Sequence, residues 1–147
     1  MAAYDNKFET NQVGQVDDTS LRRVDSFPTN SNLQFGVVVT IDSFNGSFGV
    51  EPWLPDEFAF GITAYDPNQI DGFYHIDKMA SVLTFGRITV ITADDVEPGE
   101  SAYVRAGGLI GGKPAVPTPN ELFIGYFLTQ ASVGEKVVLQ FTPNGYN

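Results

Sequence analysis

From residue 35 onward the hydrophobic positions come in bursts of strand length, whereas before it they are scattered singly through polar sequence. The run Phe35-Gly36-Val37-Val38-Val39-Thr40-Ile41 is rich in β-branched residues, and the turn-forming cluster Ser43-Phe44-Asn45-Gly46-Ser47 ends it. A second run, Phe58-Ala59-Phe60-Gly61-Ile62-Thr63-Ala64, stops at Asp66-Pro67-Asn68. Two or three strands are expected between residues 78 and 92. There, Ile88 and Val90 share one face while Arg87 and Thr89 share the other, the alternation of a half-buried strand. In Val96-Glu97-Pro98-Gly99-Glu100, Pro98 and Gly99 suit the central positions of a type II turn. A short strand over 101–106, a Gly/Pro-rich loop over 107–119, and strands over 122–130 and 135–141 around Ser132-Val133-Gly134 complete the pattern. No window predicts a full helix, and only 9–16 or 69–78 could supply a turn or two. Short strands punctuated by Gly and Pro predict an all-β fold, a small β-barrel or sandwich, over residues 35–147.

Residues 1–34 are different in kind. They are rich in Asn, Gln, Asp, Ser and Thr, with isolated apolar positions at Tyr4, Phe8, Val13, Val16, Leu21, Val24 and Phe27. These are too sparse to build a core and too regular for a plain linker, so the expectation is an extended N-terminal arm ordered by a partner surface.

Composition narrows the choice of function. A single domain of this length buries roughly two-thirds of its unfolded surface, so no covalent staple is required. Cysteine is absent, which removes disulfides and thiolate metal sites. The formal charge of −10 disfavours phosphate backbones and anionic membranes, so neither nucleic acid nor membrane is an expected partner. The opening residues Met1-Ala2-Ala3-Tyr4-Asp5-Asn6 carry no signal-peptide pattern, and no apolar run approaches the roughly 18 residues of a membrane helix. A soluble protein made in a cytoplasm is expected.

The parts of a catalytic site are missing as well. His75 is the lone histidine and has no cysteine to share a metal with, so a hydrogen-bonded structural role is expected and no cofactor or metal. The acidic pairs Asp17-Asp18, Asp56-Glu57 and Asp94-Asp95 are neighbours in sequence, which on an extended chain point to opposite faces and form no dyad. Gly107-Gly108-Leu109-Ile110-Gly111-Gly112-Lys113 matches the start of a phosphate-binding loop. However, Pro114 stands where a Ser or Thr must hold magnesium, and Pro117 and Pro119 forbid the helix that must follow. A hairpin or loop is expected there. No nucleophilic serine elbow occurs, and an enzyme is not expected.

Four blocks, in order, resemble the cement or head-decoration proteins of tailed phages. They are Phe35-Gly36-Val37-Val38-Val39 after a polar leader; Phe60-Gly61-Ile62-Thr63; residues 80–90, Ala-Ser-Val-Leu-Thr-Phe-Gly-Arg-Ile-Thr-Val; and residues 96–105, Val-Glu-Pro-Gly-Glu-Ser-Ala-Tyr-Val-Arg. The chain departs from the family pattern in a longer, more aromatic insertion over 43–56, with Trp53 between Pro52 and Pro55, and in the bulkier segment 122–128. The resemblance implies a non-enzymatic capsid protein that binds the assembled major capsid protein lattice from outside the head. Such a protein bridges neighbouring subunits, commonly as a homotrimer, and is made in the host cytoplasm before joining the virion. On that reading Phe8, Leu21, Arg22, Arg23 and Phe27 of the arm are the expected capsid-binding residues, with the arginines facing capsid carboxylates. Trp53, Phe73 and Tyr74 are expected on exposed loops or subunit contacts, and the insertion over 43–56 as an exposed knob. The competing reading, a carbohydrate- or receptor-binding module of a phage tail or fibre, rests on stacking of the same three aromatics on a sugar.

Overall fold

The computed structural model describes residues 12–17, 21–44, 47–55, 57–112 and 122–142. In chain order they form β1 (Arg23–Pro28), β2 (Leu33–Gln34), β3 (Val38–Phe44), β4 (Ser47–Pro52), β5 (Gly61–Thr63), β6 (Phe73–Tyr74) and β7 (Met79–Ile91). These are followed by β8 (Ser101–Arg105), β9 (Leu109–Gly111), β10 (Leu122–Phe127) and β11 (Lys136–Phe141). No helix occurs among the described residues. Nine strands make one sheet in the order β4-β3-β5-β7-β11-β10-β8-β9, with β1 also pairing β7, and β2 and β6 form a separate pair. The all-β expectation is met.

β7 organises this sheet. Its first half pairs with β1 and β5 and its second half with β11. The two or three strands expected over this stretch are therefore one strand of 13 residues. What breaks its alternation is a bulge: Val24 faces Leu83 but Arg23 faces Phe85, leaving Thr84 as an extra residue on β7. Core-facing positions accordingly switch from odd at Leu83 to even at Ile88 and Val90. Gly86 follows with φ 133°, and the backbone of Leu21 and Arg22 passes so close that a Cβ there would sit 3.1 Å from Leu21 O. The bend carries β7 from one half of the curled sheet to the other.

Two apolar clusters result. The larger lies between the halves and joins Val38, Ile62 and Leu83 to Ile88, Val90, Val104, Ile124, Phe127, Val137, Leu139 and Phe141. The smaller contains Leu33, Val39, Val50, Tyr74, Ala80 and Val82, flanked by Phe27, Phe35 and Phe60. Adjacent residues such as Val38 and Val39, or Val82 and Leu83, belong to different clusters, so this half of the sheet is buried on both faces. A two-faced burial explains why residues 35–41 read as a continuous apolar run. β1 closes over the smaller cluster from β7 to β4, where Thr29 bridges Val50 and the Asn30 amide donates to Val50 O at 3.0 Å.

The described part of the N-terminal stretch is not a free arm. Residues 23–28 are β1. Residues 14–17 run along the second half of β7, with Gly14 N donating to Thr89 O at 2.7 Å and Asp17 N to Arg87 O at 3.0 Å. Apolar residues too sparse to build a core were enough to join existing ones: Val16 packs on the larger cluster and Phe27 on the smaller. The turn residues Asn45 and Gly46 and most of the 107–119 loop lie outside the described residues.

Candidate functional site

One exposed cluster lies where the chain enters β1. Residues 21–26 are all exposed, Leu21 at 80%. Arg23 Nε lies 3.2 Å from Asp25 Oδ2, with both side chains in solvent. Arg22 is exposed beside Gly86. Of the expected capsid-binding residues, Leu21, Arg22 and Arg23 thus share one surface segment. Phe8 lies outside the described residues. Phe27 does not join them, because its ring is half-buried edge-on to Phe60 at 4.8 Å, where it walls the smaller cluster. The expectation for Phe27 is corrected: strand alternation turns it inward when Arg23–Pro28 pairs with β7.

The loop aromatics are corrected in the same way. Trp53 is 1% exposed, its indole N–H donating to Glu57 O at 2.7 Å. Its backbone ties the sheet together, since Trp53 N donates to Val38 O at 3.0 Å and Gly107 N donates to Trp53 O at 2.9 Å. The prolines on either side do not expose it, and the ring packs in the larger cluster. Tyr74 is also 1% exposed, donates its hydroxyl to Ala64 O at 2.6 Å and meets the Phe35 ring at 5.3 Å. Burial raises its phenol above the ordinary tyrosine value. Phe73 is half-buried against the His75 ring at 4.5 Å. His75 Nε2 in turn lies 2.6 Å from Asp71 Oδ2, a local surface contact of the structural kind expected. With Trp53 and Tyr74 enclosed, the sugar-stacking arrangement loses two of its three rings.

A surface that was not read from the sequence lies on the outer face of β8 and β10. Tyr103, Phe123 and Tyr126 form a ladder with ring centroids 5.9 and 5.2 Å apart, and Tyr126 is 46% exposed. The rings meet edge to face, at 73° and 72°, so they offer no coplanar platform for a sugar. Gly125 was the available signal, because a glycine inside an apolar strand marks a bulge that re-aims its neighbours.

No group of three His, Cys, Asp or Glu among the described residues could hold a metal. Asp94 and Arg105 form a half-buried ion pair, and Asp94 Oδ2 also accepts the Gly112 amide at 2.9 Å. That pair is a clamp joining the end of β7 to β8 and β9. The glycine-rich stretch that mimics a phosphate loop is the β8–β9 hairpin, with Arg105 opposite Leu109.

Solved structures that share the fold include two from phage heads. The head fibre gp8.5 N base of bacteriophage phi29 is similar with a TM-score of 0.60 at 12% identity, over 83% of this chain and 95% of that one. A chain from the capsid of Myoviridae phage XM1 is similar with a TM-score of 0.65 at 18% identity, over 88% of this chain and 89% of that one. No curated protein matches the sequence. The family model described as structural cement protein (E217 gp24/Pam3 gp6) matches residues 2–142, nearly the whole chain. This chain therefore belongs to the phage structural cement protein family.

Proposed function

We propose that this chain binds the assembled major capsid protein lattice on the outer surface of a phage head and stabilises it by bridging neighbouring subunits. The observation that carries the reading is the family match over residues 2–142. The physical character of the molecule supports it: two well-packed clusters and a half-buried ion-pair clamp. The role is non-enzymatic, without cofactor, nucleic acid or membrane. Copies act as a homotrimer on the shell, where linked copies rebind at high effective concentration. Leu21 and Arg22, with Arg23 beside them, supply an apolar and cationic contact for shell carboxylates on an otherwise acidic protein.

The test is cosedimentation of the purified full chain with expanded, undecorated heads, compared with a Leu21→Asp/Arg22→Glu variant. Point changes are preferable to deleting the first 34 residues, which would remove β1 and the strand along β7. Saturable binding that the variant weakens is expected. Saturable binding unaffected by the variant moves the contact elsewhere on the surface, and absence of saturable binding refutes the function.

A further inference from the structure

Among the described residues, β1 has β7 along one edge and no strand along the other from Arg23 to Ser26. The hydrogen bonds at its end show which backbone groups face the open side. Thr29 N donates to Lys78 O at 2.9 Å and Asp77 N donates to Thr29 O at 3.1 Å, so Thr29 addresses the β7 side. Asn30 N points the other way, to Val50 O. The register with β7 is continuous from Val24 to Pro28. Strand alternation then sends the amide and carbonyl of Phe27 and Asp25 toward β7, and those of Ser26 and Val24 outward. Pro28 falls in the outward set, where its missing N–H costs nothing. β4 packs beside the Pro28 end of β1, where Thr29 bridges Val50, and covers that side from there on. The open edge is therefore bounded, and its residues are exposed. An uncovered edge of this kind is a template for another strand.

The side chains along it are self-complementary. Arg23 and Asp25 flank Val24 on one face of the strand, and their side chains are 76% and 46% exposed. We propose that β1 is a self-association edge, two copies pairing antiparallel about a two-fold axis through Val24. That register sets each Arg23 opposite the partner's Asp25, Val24 against the partner's Val24, and Leu21 across from the partner's Phe27. The outward amide and carbonyl of Val24 hydrogen-bond reciprocally across the axis. Other registers fail on the same strand. An axis at Arg23 or Asp25 stacks like charges, and an axis at Ser26 brings Pro28, which has no donor, opposite Val24. The pairing joins single chains or members of adjacent trimers, and does not depend on the shell contact.

A cysteine probe tests this cleanly, because the chain has none of its own. Opposed residues in such a pair have Cα atoms about 5.5 Å apart, within disulfide reach. Val24→Cys under mild oxidation should give a covalent dimer, whereas Val133→Cys, on the exposed β10–β11 turn, should not at the same concentration. Light scattering of the full chain over a concentration series should reach particles with an even number of chains. Arg23→Asp or Asp25→Arg alone should weaken this step about tenfold, and the double exchange should restore it. Particles that stay at one or three chains with no Val24 cross-link overturn the proposal. So does a double exchange that associates no better than either single one.

Discussion

Gly125 offers the sharpest test of the sheet geometry. It lies at the bulge of β10, where Phe123 faces Tyr103 but Gly125 faces Ala102, leaving Ile124 as the extra residue. Its φ is 153°, and a Cβ placed there would stand 1.9 Å from Gln140 O of β11. An ordinary carbon–oxygen contact is about 3.3 Å, so Gly125→Ala forces β10 and β11 apart by more than an ångström. β11 cannot simply retreat, since Gln140 is in register with Arg87 on its other side. Overpacking of this kind costs about 1–3 kcal/mol and the disfavoured backbone about 1–3 kcal/mol more, giving roughly 2–6 kcal/mol. Against a total stability of about 5–15 kcal/mol, that loss is large. For a chain of this size it corresponds to a fall in Tm of roughly 5–20 °C. Gly99→Ala is the control, because φ there is 89° but no atom lies within 4 Å of the added carbon. It carries the backbone cost alone, about 1–2 kcal/mol. Urea titration followed by the fluorescence of Trp53, the single tryptophan, reads both variants. A Gly125→Ala loss no greater than that of Gly99→Ala would refute the close approach at this bulge.

Three further outcomes follow from named contacts. Thr40 Oγ1 is fully buried with no hydrogen-bond partner, so Thr40→Val should raise the urea midpoint by about 1 kcal/mol of stability. Asp94→Ala takes the carboxylate from Arg105 and the acceptor from Gly112 N. It should cost about 1–3 kcal/mol in the same assay, with Asp94→Asn in between. Tyr74 is held protonated by burial, so the folded state binds that proton more tightly than the unfolded state. Its contribution is complete below about pH 10 and is lost as pH rises through the raised pKa, and Tyr74→Phe should flatten that alkaline decline in urea midpoints.

The strands that could be read from sequence were those with one buried face or two, because both leave a local pattern. Ile88 and Val90 alternate against Arg87 and Thr89, and Val38-Val39 is apolar throughout because β3 supplies both clusters. β7 was read in pieces because Thr84 shifts its parity, an effect visible only once Arg23 and Val24 pair with Phe85 and Leu83. β1 left no pattern at all. Arg-Val-Asp-Ser-Phe-Pro is polar and ends in proline, and its strand character comes from the β7 edge it covers. Trp53 between prolines looked exposed because local sequence says nothing about the Gly107 and Gly108 backbone that returns to meet it and Val38. Leu21, Arg22 and Arg23 could be picked out as a cationic, apolar spot, but the open edge beside them depends on tertiary pairing. The family, by contrast, was readable, since the order of four β blocks survives where single strands are ambiguous.

The central claim is that this protein holds a capsid together, and the heat resistance of heads measures it directly. Expanded DNA-filled heads lacking the protein would be titrated with the full chain, and genome release followed by dye fluorescence during a temperature ramp. A release temperature that climbs with added protein and levels off at a fixed number of copies per head is the predicted result. Saturable binding with no change in release temperature would contradict the cement function, leaving a protein that decorates the shell without strengthening it.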